Sequence, residues 1–216
     1  LFEVLESHTK QLVEDPDISV RRAFLASVPE LCLFFDDHSN DVLLTHLNTY
    51  LNDRDWTLKC AFFDTIVGIA TFIGSTSLEE FMLPLMIQAL TDPEEYVVQA
   101  ALHSLAQLAG LGLLSRPKVW ELVDLISRFT MHPNIWIRES AAEFLSMSAR
   151  FLTAADVRCN LMPLVKPFMK VEVLSDFSEL DILDALKRPL SRSVFDQAIT
   201  WALKTERGIY WKPLQQ

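Results

Sequence analysis

Four times along the chain, a short polar turn is followed by apolar residues at helical spacing. After Asp53-Arg54-Asp55, residues Leu58, Ala61, Phe62, Thr65, Ile66, Ile69 and Ile73 fall on one stripe. After Asp92-Pro93-Glu94 the stripe is Val97, Ala101, Leu105 and Leu108. After His132-Pro133-Asn134 it is Ile137, Ala141, Phe144, Leu145, Ser148 and Leu152. The first turn, Asp15-Pro16-Asp17, leads into Val20, Ala23 and Phe24. The turns begin at residues 15, 53, 92 and 132, about forty residues apart.

Each part of the pattern has a physical reason. Proline lacks the N–H that would continue a helix, and it drives the residue before it out of the helical region. An aspartate there accepts the free N–H groups of the next helix. Small residues follow eight or nine positions after the turn begins: Ala23, Ala61, Ala100 with Ala101, and Ser140 with Ala141. They let helices approach closely. Between turns, partner helices read at about 2–14, 40–51, 77–90 and 117–130. Their start signals are Asn40 before Asp41, Ser77 with Glu80, and Pro117 after Ser115. Thr153 with Asp156 opens a further helix near 154–162. No run alternates with period two, and the five glycines form no hairpin signal. The expectation is an all-α HEAT-repeat solenoid of about five helix pairs.

The pattern loosens after residue 163. Pro163 and Pro167 preclude one unbroken helix. A helix is predicted over 176–187 with Phe177, Leu180, Leu183 and Leu186 in register, and Ser193 with Asp196 reads as a capping box for a last helix to Lys204. This gives HEAT repeats over 1–163, a divergent terminal helical repeat over 164–204, and a tail or linker over 205–216. Leu1 is not an initiator methionine and the opening residues already read as helix, so a piece of a longer protein is expected.

Composition narrows the function classes. The net charge of −10 opposes nucleic-acid and anionic-lipid binding, which need clustered Lys and Arg. No apolar run reads as long and uncharged enough to cross a bilayer. Cys32, Cys60 and Cys159 have neither disulfide nor zinc spacing and read as reduced, mostly buried thiols of a cytosolic protein. The five histidines are scattered, and the five glycines form no phosphate loop. No catalytic, metal or cofactor residue is therefore assigned.

The candidate residues are structural or partner-facing. Asp15, Asp53 and Asp92 lie in the turns, and Arg21, Lys59 and Arg138 lie six positions after a turn's first residue, where bases join an aspartate ladder between repeats. For Arg138 a partner contact is the other reading. Trp56, Tyr96 and Trp136 recur at similar turn positions. They read either as an aromatic ridge that anchors a partner or as covers over each repeat core. Arg192, Tyr210 and Trp211 are the remaining candidates for partner contact.

Several stretches are similar to one family. They are Asn48-Thr49-Tyr50-Leu51-Asn52-Asp53, Ala61-Phe62-Phe63-Asp64-Thr65-Ile66-Val67-Gly68, His132-Pro133-Asn134-Ile135-Trp136-Ile137-Arg138, Thr153-Ala154-Ala155-Asp156-Val157 with Leu161-Met162-Pro163, and Pro189-Leu190-Ser191-Arg192-Ser193-Val194-Phe195-Asp196. Over about residues 45–204 they resemble the HEAT region of the regulatory subunit of class III phosphatidylinositol 3-kinase, a pseudokinase–HEAT–WD-repeat family of vacuolar protein sorting. The last stretch is the most specific. The resemblance implies a non-catalytic scaffold that holds the lipid kinase catalytic subunit and coiled-coil subunits for autophagy and endosomal sorting. It also implies a cytoplasmic protein placed peripherally on endosomal, vacuolar or autophagic membranes by its other domains, with no membrane insertion by this segment. Two other readings stand beside it: a generic HEAT adaptor, such as a phosphatase scaffold or transport factor, and the regulatory solenoid of an active serine/threonine kinase.

Overall fold

In the computed structural model the chain is all-α. The structure describes residues 2–35, 38, 43, 45–171, 173 and 177–204. Asn40, Asp41 and the 205–216 tail, with Tyr210 and Trp211, lie outside the described residues. The described chain divides into two compact units, residues 1–115 and 116–216.

The first unit holds α1 (Phe2–Val13), α2 (Ile18–Leu25), α3 (Val28–Phe35), the short α4 (Thr45–Leu47) continued by a 3-10 turn (Asn48–Asn52), α5 (Trp56–Ser77), a π-type turn (Leu78–Met82), α6 (Leu83–Ala89) and α7 (Glu95–Gly110). The turn aspartates start helices: Asp17 Oδ1 caps α2 through Ser19 N–H, and Asp55 caps α5 through the N–H groups of Thr57 and Leu58. α5 is the central element, packed against α2, α3 and α7. Its Leu58, Phe62, Phe63, Ile66, Ile69 and Ala70 are buried, as are Val97, Ala101, Leu105 and Leu108 of α7. Gly68 sits where α5 meets Pro29: a Cβ built there would lie 3.0 Å from Pro29 Cγ. Tyr50 closes the core beneath the second turn, its hydroxyl donating to Val13 O at 2.7 Å. Burial pushes its pKa up to about 12.

Two expectations are corrected in this unit. The helical stretch Trp56–Ala89, 34 residues, is long and apolar enough to cross a membrane by length and composition. It is nonetheless a repeat helix pair: Gly74, at φ 78°, breaks the run, and Leu58, Phe62, Phe63, Ile66 and Ile69 are buried where α5 packs with α2, α3 and α7, while Phe72 and Phe81 are exposed. That break also supersedes the cap expected at Ser77, whose side chain caps nothing; only glycine enters the left-handed region without penalty, so the chain turns there.

The second unit holds α8 (Arg116–Ile126) with a 3-10 turn (Ser127–Met131), α9 (Ile135–Ala149), α10 (Ala154–Asp156), a π-type turn (Val157–Leu161), α11 (Met162–Val165) with a 3-10 turn (Lys166–Phe168), α12 (Glu179–Ala185) and α13 (Arg192–Lys204). Asn134 caps α9 through Trp136 N–H, and Thr153 with Asp156 forms a capping box. α9 packs against α8 and α12, burying Ile137, Ala141, Phe144 and Leu145.

The divergent end departs from its expected register. α12 begins only after Ser178, which receives Asp181 N–H, and Phe177 before it is in the left-handed region at φ 57°. The buried set is therefore Phe177, Ile182, Ala185 and Leu186, while Leu180 is 74% exposed. At α13 the hydroxyl that accepts a first-turn N–H is that of Ser191, from Val194, rather than that of Ser193.

The thiols also differ from one another. Cys32 is buried, Cys60 half-buried and Cys159 exposed. Burial raises Cys32 and Cys60 to about 11, so both are almost wholly protonated at neutral pH. With a limiting thiol reagent at pH 7.5, mass spectrometry of the native chain should find Cys159 modified first, with Cys32 and Cys60 reacting only after unfolding. Equal labelling of all three would contradict this packing.

Candidate partner-binding surface

The turns build one recurring device. In the first three, the leading aspartate accepts the backbone N–H two residues on: Asp17 N to Asp15 Oδ1 at 2.8 Å, Asp55 N to Asp53 Oδ1 at 2.9 Å, and Glu94 N to Asp92 Oδ1 at 2.9 Å. In Asp53 and Asp92 the other carboxylate oxygen meets a base of the preceding repeat. Arg21 Nη1 lies 3.0 Å from Asp53 Oδ2, and Lys59 Nζ donates to Asp92 Oδ2 at 2.6 Å. Each base thus ties its own helix to the next turn. Arg21 also lies over the Tyr50 ring, 5.5 Å from its centroid.

The N–H from Asp55, followed by Arg21, holds the Asp53 carboxyl below its ordinary range; Thr57 and Leu58 do the same for Asp55. These groups stabilise the folded chain at neutral pH, and that contribution is lost as pH falls through their depressed values.

The fourth turn, in the second unit, is chemically different. His132 stands where the others have aspartate, and its Nδ1 accepts Asn134 N–H at 3.0 Å. Arg138 Nη1 donates to the carbonyls of His132 and Pro133, at 2.8 and 2.9 Å. Among the described residues Arg138 is not brought to an aspartate: where Arg21 and Lys59 each reach the turn that follows, Arg138 caps the carbonyls of its own turn.

Aromatic residues lie on the turn edges. Trp56 and Tyr96 stack with centroids 5.2 Å apart and planes 23° apart, and they are 43% and 46% exposed. Two large rings that touch each other while each keeps nearly half its surface in water do not act as full covers over a repeat core. Trp136 is 48% exposed beside exposed Ile135. Arg192 lies at the exposed first turn of α13. The stacking of Trp56 on Tyr96 could have been suggested by their one-repeat separation. The acceptor role of His132 had no comparable signal beyond its place before Pro133.

Among the described residues no group of His, Cys, Asp and Glu is placed to hold a metal ion. In the first unit the turns instead carry two ion pairs, Arg21–Asp53 and Lys59–Asp92, with the exposed Trp56–Tyr96 stack.

The chain matches a family model, "PIK3R4-like, middle domain", over residues 1–199. It is 39% identical over 218 residues to "Putative serine/threonine-protein kinase VPS15" of Komagataella pastoris, covering 99% of this chain and 16% of the relative. It is 36% identical over 198 residues to "Probable serine/threonine-protein kinase vps15" of Dictyostelium discoideum, covering 87% of this chain and 10% of the relative. The chain thus spans a small part of these relatives. Among solved structures, Cex1p is similar in fold, with TM-score 0.67 and 14% identity over 93% of this chain and 37% of that one. Designed armadillo repeat proteins for modular peptide recognition align with TM-score 0.52 and 14% identity, over 82% of this chain and 80% of theirs. These structures share the helical-repeat architecture, while the relatives and the family model share the sequence, so the chain belongs to the PIK3R4-like family as its middle domain.

Proposed function

We propose that this segment is a non-catalytic scaffold within a regulatory subunit of the class III phosphatidylinositol 3-kinase complex. It helps hold the lipid kinase catalytic subunit and the coiled-coil subunits used in autophagy and endosomal or vacuolar sorting. The family match over residues 1–199 carries this reading, and the exposed Trp56–Tyr96 stack on a rigid turn edge supports it. In this reading the parent protein is cytoplasmic and sits peripherally on membranes through its other parts.

The test is size-exclusion co-elution of the full-length parent protein with the catalytic and coiled-coil subunits. Replacing Trp56 and Tyr96 together by alanine should weaken association by about tenfold or more, since buried aromatic anchors contribute roughly 1–2 kcal/mol or more each. Unchanged association of a folded double variant would remove this edge from the interface. If deletion of residues 1–204 also left association unchanged, the scaffold role would go to other parts of the polypeptide.

A second reading rests on the relatives' names, which call them serine/threonine protein kinases. Here the segment is the regulatory solenoid of a kinase in the same polypeptide. Phosphotransfer by the full-length protein that changes on loss of this segment would favour it.

A further inference from the structure

Trp56 is the first residue of α5 and Tyr96 the second of α7, so the stacked rings mark where two neighbouring helices start side by side. Beyond the rings, the water-facing stripe of each helix turns polar. On α5 it runs through half-buried Cys60 to exposed Asp64 and Thr71. On α7 it runs through half-buried Ala100 to exposed His103 and Gln107. An apolar helix laid along this face would cover the two rings and then bury polar groups without partners, which is costly. The face suits an occupant that gains from aromatic surface at one end and from polar groups beyond it.

The charges decide which occupant that is. α5 and α7 carry one Lys or Arg between them, Lys59, and it is paired with Asp92. The remaining bases of this edge, Arg21, Arg22 and Arg54, lie outside the two helices, and Arg21 is paired with Asp53. Carboxylates are more available. Asp17, Asp55 and Asn134 each cap the helix they precede, but the side chain of Glu94, which precedes α7, makes no cap bond. Asp64 is exposed two turns beyond Trp56. The Cys60 thiol, one turn from Trp56, registers the balance. Burial first, then the carboxylates of Asp64, Asp92 and Glu94, push it up to about 11, while Arg22 of α2 acts in the opposite sense.

Such a face repels phosphate-bearing ligands. It favours arginine, whose planar guanidinium is weakly hydrated, stacks on aromatic rings and forks onto carboxylates, and whose apolar stem covers ring surface.

We propose that the paired starts of α5 and α7 dock a basic, arginine-bearing segment of a partner subunit: one guanidinium lies on the exposed Trp56–Tyr96 pair, and further bases meet Glu94 and Asp64. This deepens the partner reading of that edge and rests on it. The helix sets the spacing. From Trp56 to Asp64 is roughly 12 Å along α5, at about 1.5 Å per residue. An extended segment covers that distance in about four residues, and its alternate side chains point the same way. Bases at alternate positions therefore reach both the rings and the carboxylates.

The test is binding of a fluorescently labelled, alternating Arg-Ser octapeptide to the full chain, read by anisotropy. Matched Glu-Ser and Leu-Ser peptides are the comparisons. The Arg-Ser peptide should bind saturably, more tightly than either comparison, and more weakly as salt rises. Trp56→Leu keeps apolar bulk but removes the aromatic face, and it should weaken binding by about threefold to tenfold. Glu94→Gln with Asp64→Asn leaves both rings in place. It should weaken binding by about threefold or more at low salt, and the loss should shrink at high salt. Glu3→Gln with Glu30→Gln removes the same charge from exposed positions on α1 and α3 and should change little. Thermal midpoints equal to the wild type's identify the variants as folded. No saturable binding, binding unchanged by the Glu94 and Asp64 pair, or tighter binding of the Leu-Ser or Glu-Ser peptide would each overturn the basic occupant. Failure of the edge reading itself shows differently, as unchanged co-elution of the folded Trp56 and Tyr96 double alanine variant with the subunits.

Discussion

Ala101→Asp and Ile137→Asp each lower the thermal midpoint of this chain by about 10–20 °C. Both side chains are completely buried, Ala101 in α7 of the first unit and Ile137 in α9 of the second. Removing an isoleucine from a packed core costs roughly 2–4 kcal/mol, and a carboxyl group without partners adds roughly 1–3 kcal/mol. Ala101→Asp loses less apolar surface but must fit extra atoms where α7 meets α5, an overpacking cost of about 1–3 kcal/mol on top of the polar one. A loss near 5 kcal/mol is a large part of the roughly 5–15 kcal/mol that holds a domain folded. At this chain length each kcal/mol moves the midpoint by about 2–4 °C. Leu180→Asp is the control: Leu180 is 74% exposed, so its effect should stay within about 0.5 kcal/mol. Thermal unfolding followed by circular dichroism separates the cases. An Ile137→Asp protein that melts with the wild type would mean that the α9 packing is wrong.

That control marks where the sequence could and could not be read. Leu180 looked like a core residue because it lies three positions from Phe177 and three from Leu183, a helical spacing. Spacing carries information only if all the residues belong to one helix, and Phe177 does not: at φ 57° it precedes the helix that Ser178 caps. The signal that would have placed the start was Ser178 with Asp181 three residues on. The four turns were legible for the opposite reason. Proline and the capping aspartates act through neighbours in sequence, so their effect is local, and α2, α5, α7 and α9 begin within three residues of the turn's first residue or its proline.

Pairings between repeats are another matter. A ladder of bases and turn aspartates could be expected from repeat position, but that Arg21 would reach Asp53 and Lys59 would reach Asp92 depends on how one helix lies beside the next turn, and Arg138, at the same repeat position, caps carbonyls instead. The same is true of Gly74. One glycine inside an apolar run reads as a tolerated helix residue until the backbone shows it in the left-handed region. For the candidate surface, Trp56 and Tyr96 could be picked out by repeat position, but whether they face water or the core could not. The membrane-like run Trp56–Ala89 shows the same limit, since its length and hydropathy alone pass for a membrane helix and only the backbone shows the break at Gly74.

The second large effect concerns the ion pair between Lys59 and Asp92. Most surface ion pairs contribute little, because water screens them and two long side chains must be ordered. This one differs in geometry and setting. Its atoms are 2.6 Å apart, and the two side chains are only 15% and 10% exposed. Asp92 also accepts Glu94 N–H, so one carboxylate both forms the third turn and receives α5's lysine. Asp92→Ala removes both interactions and leaves Lys59 charged in a poorly hydrated place, for an expected loss of about 3 kcal/mol. Asp92→Asn keeps an oxygen for Glu94 N–H and loses the charge, so it should cost less. Lys59→Met keeps the apolar stem of the lysine and strands the carboxylate with its backbone donor alone, and it should also cost less. Because each single change strands the partner's charge, the double variant Lys59→Met with Asp92→Asn should be more stable than the two separate losses would give. Replacing Lys10, whose i,i+4 pair with Glu6 is 43% and 31% exposed, should change stability by no more than about 0.5 kcal/mol. Urea unfolding of the set measures these differences as shifts in midpoint at constant slope. Strict additivity across the Lys59 and Asp92 cycle would mean that the pair forms without coupling the second turn's helix to the third turn, and the ladder would then be a consequence of the packing rather than one of its causes.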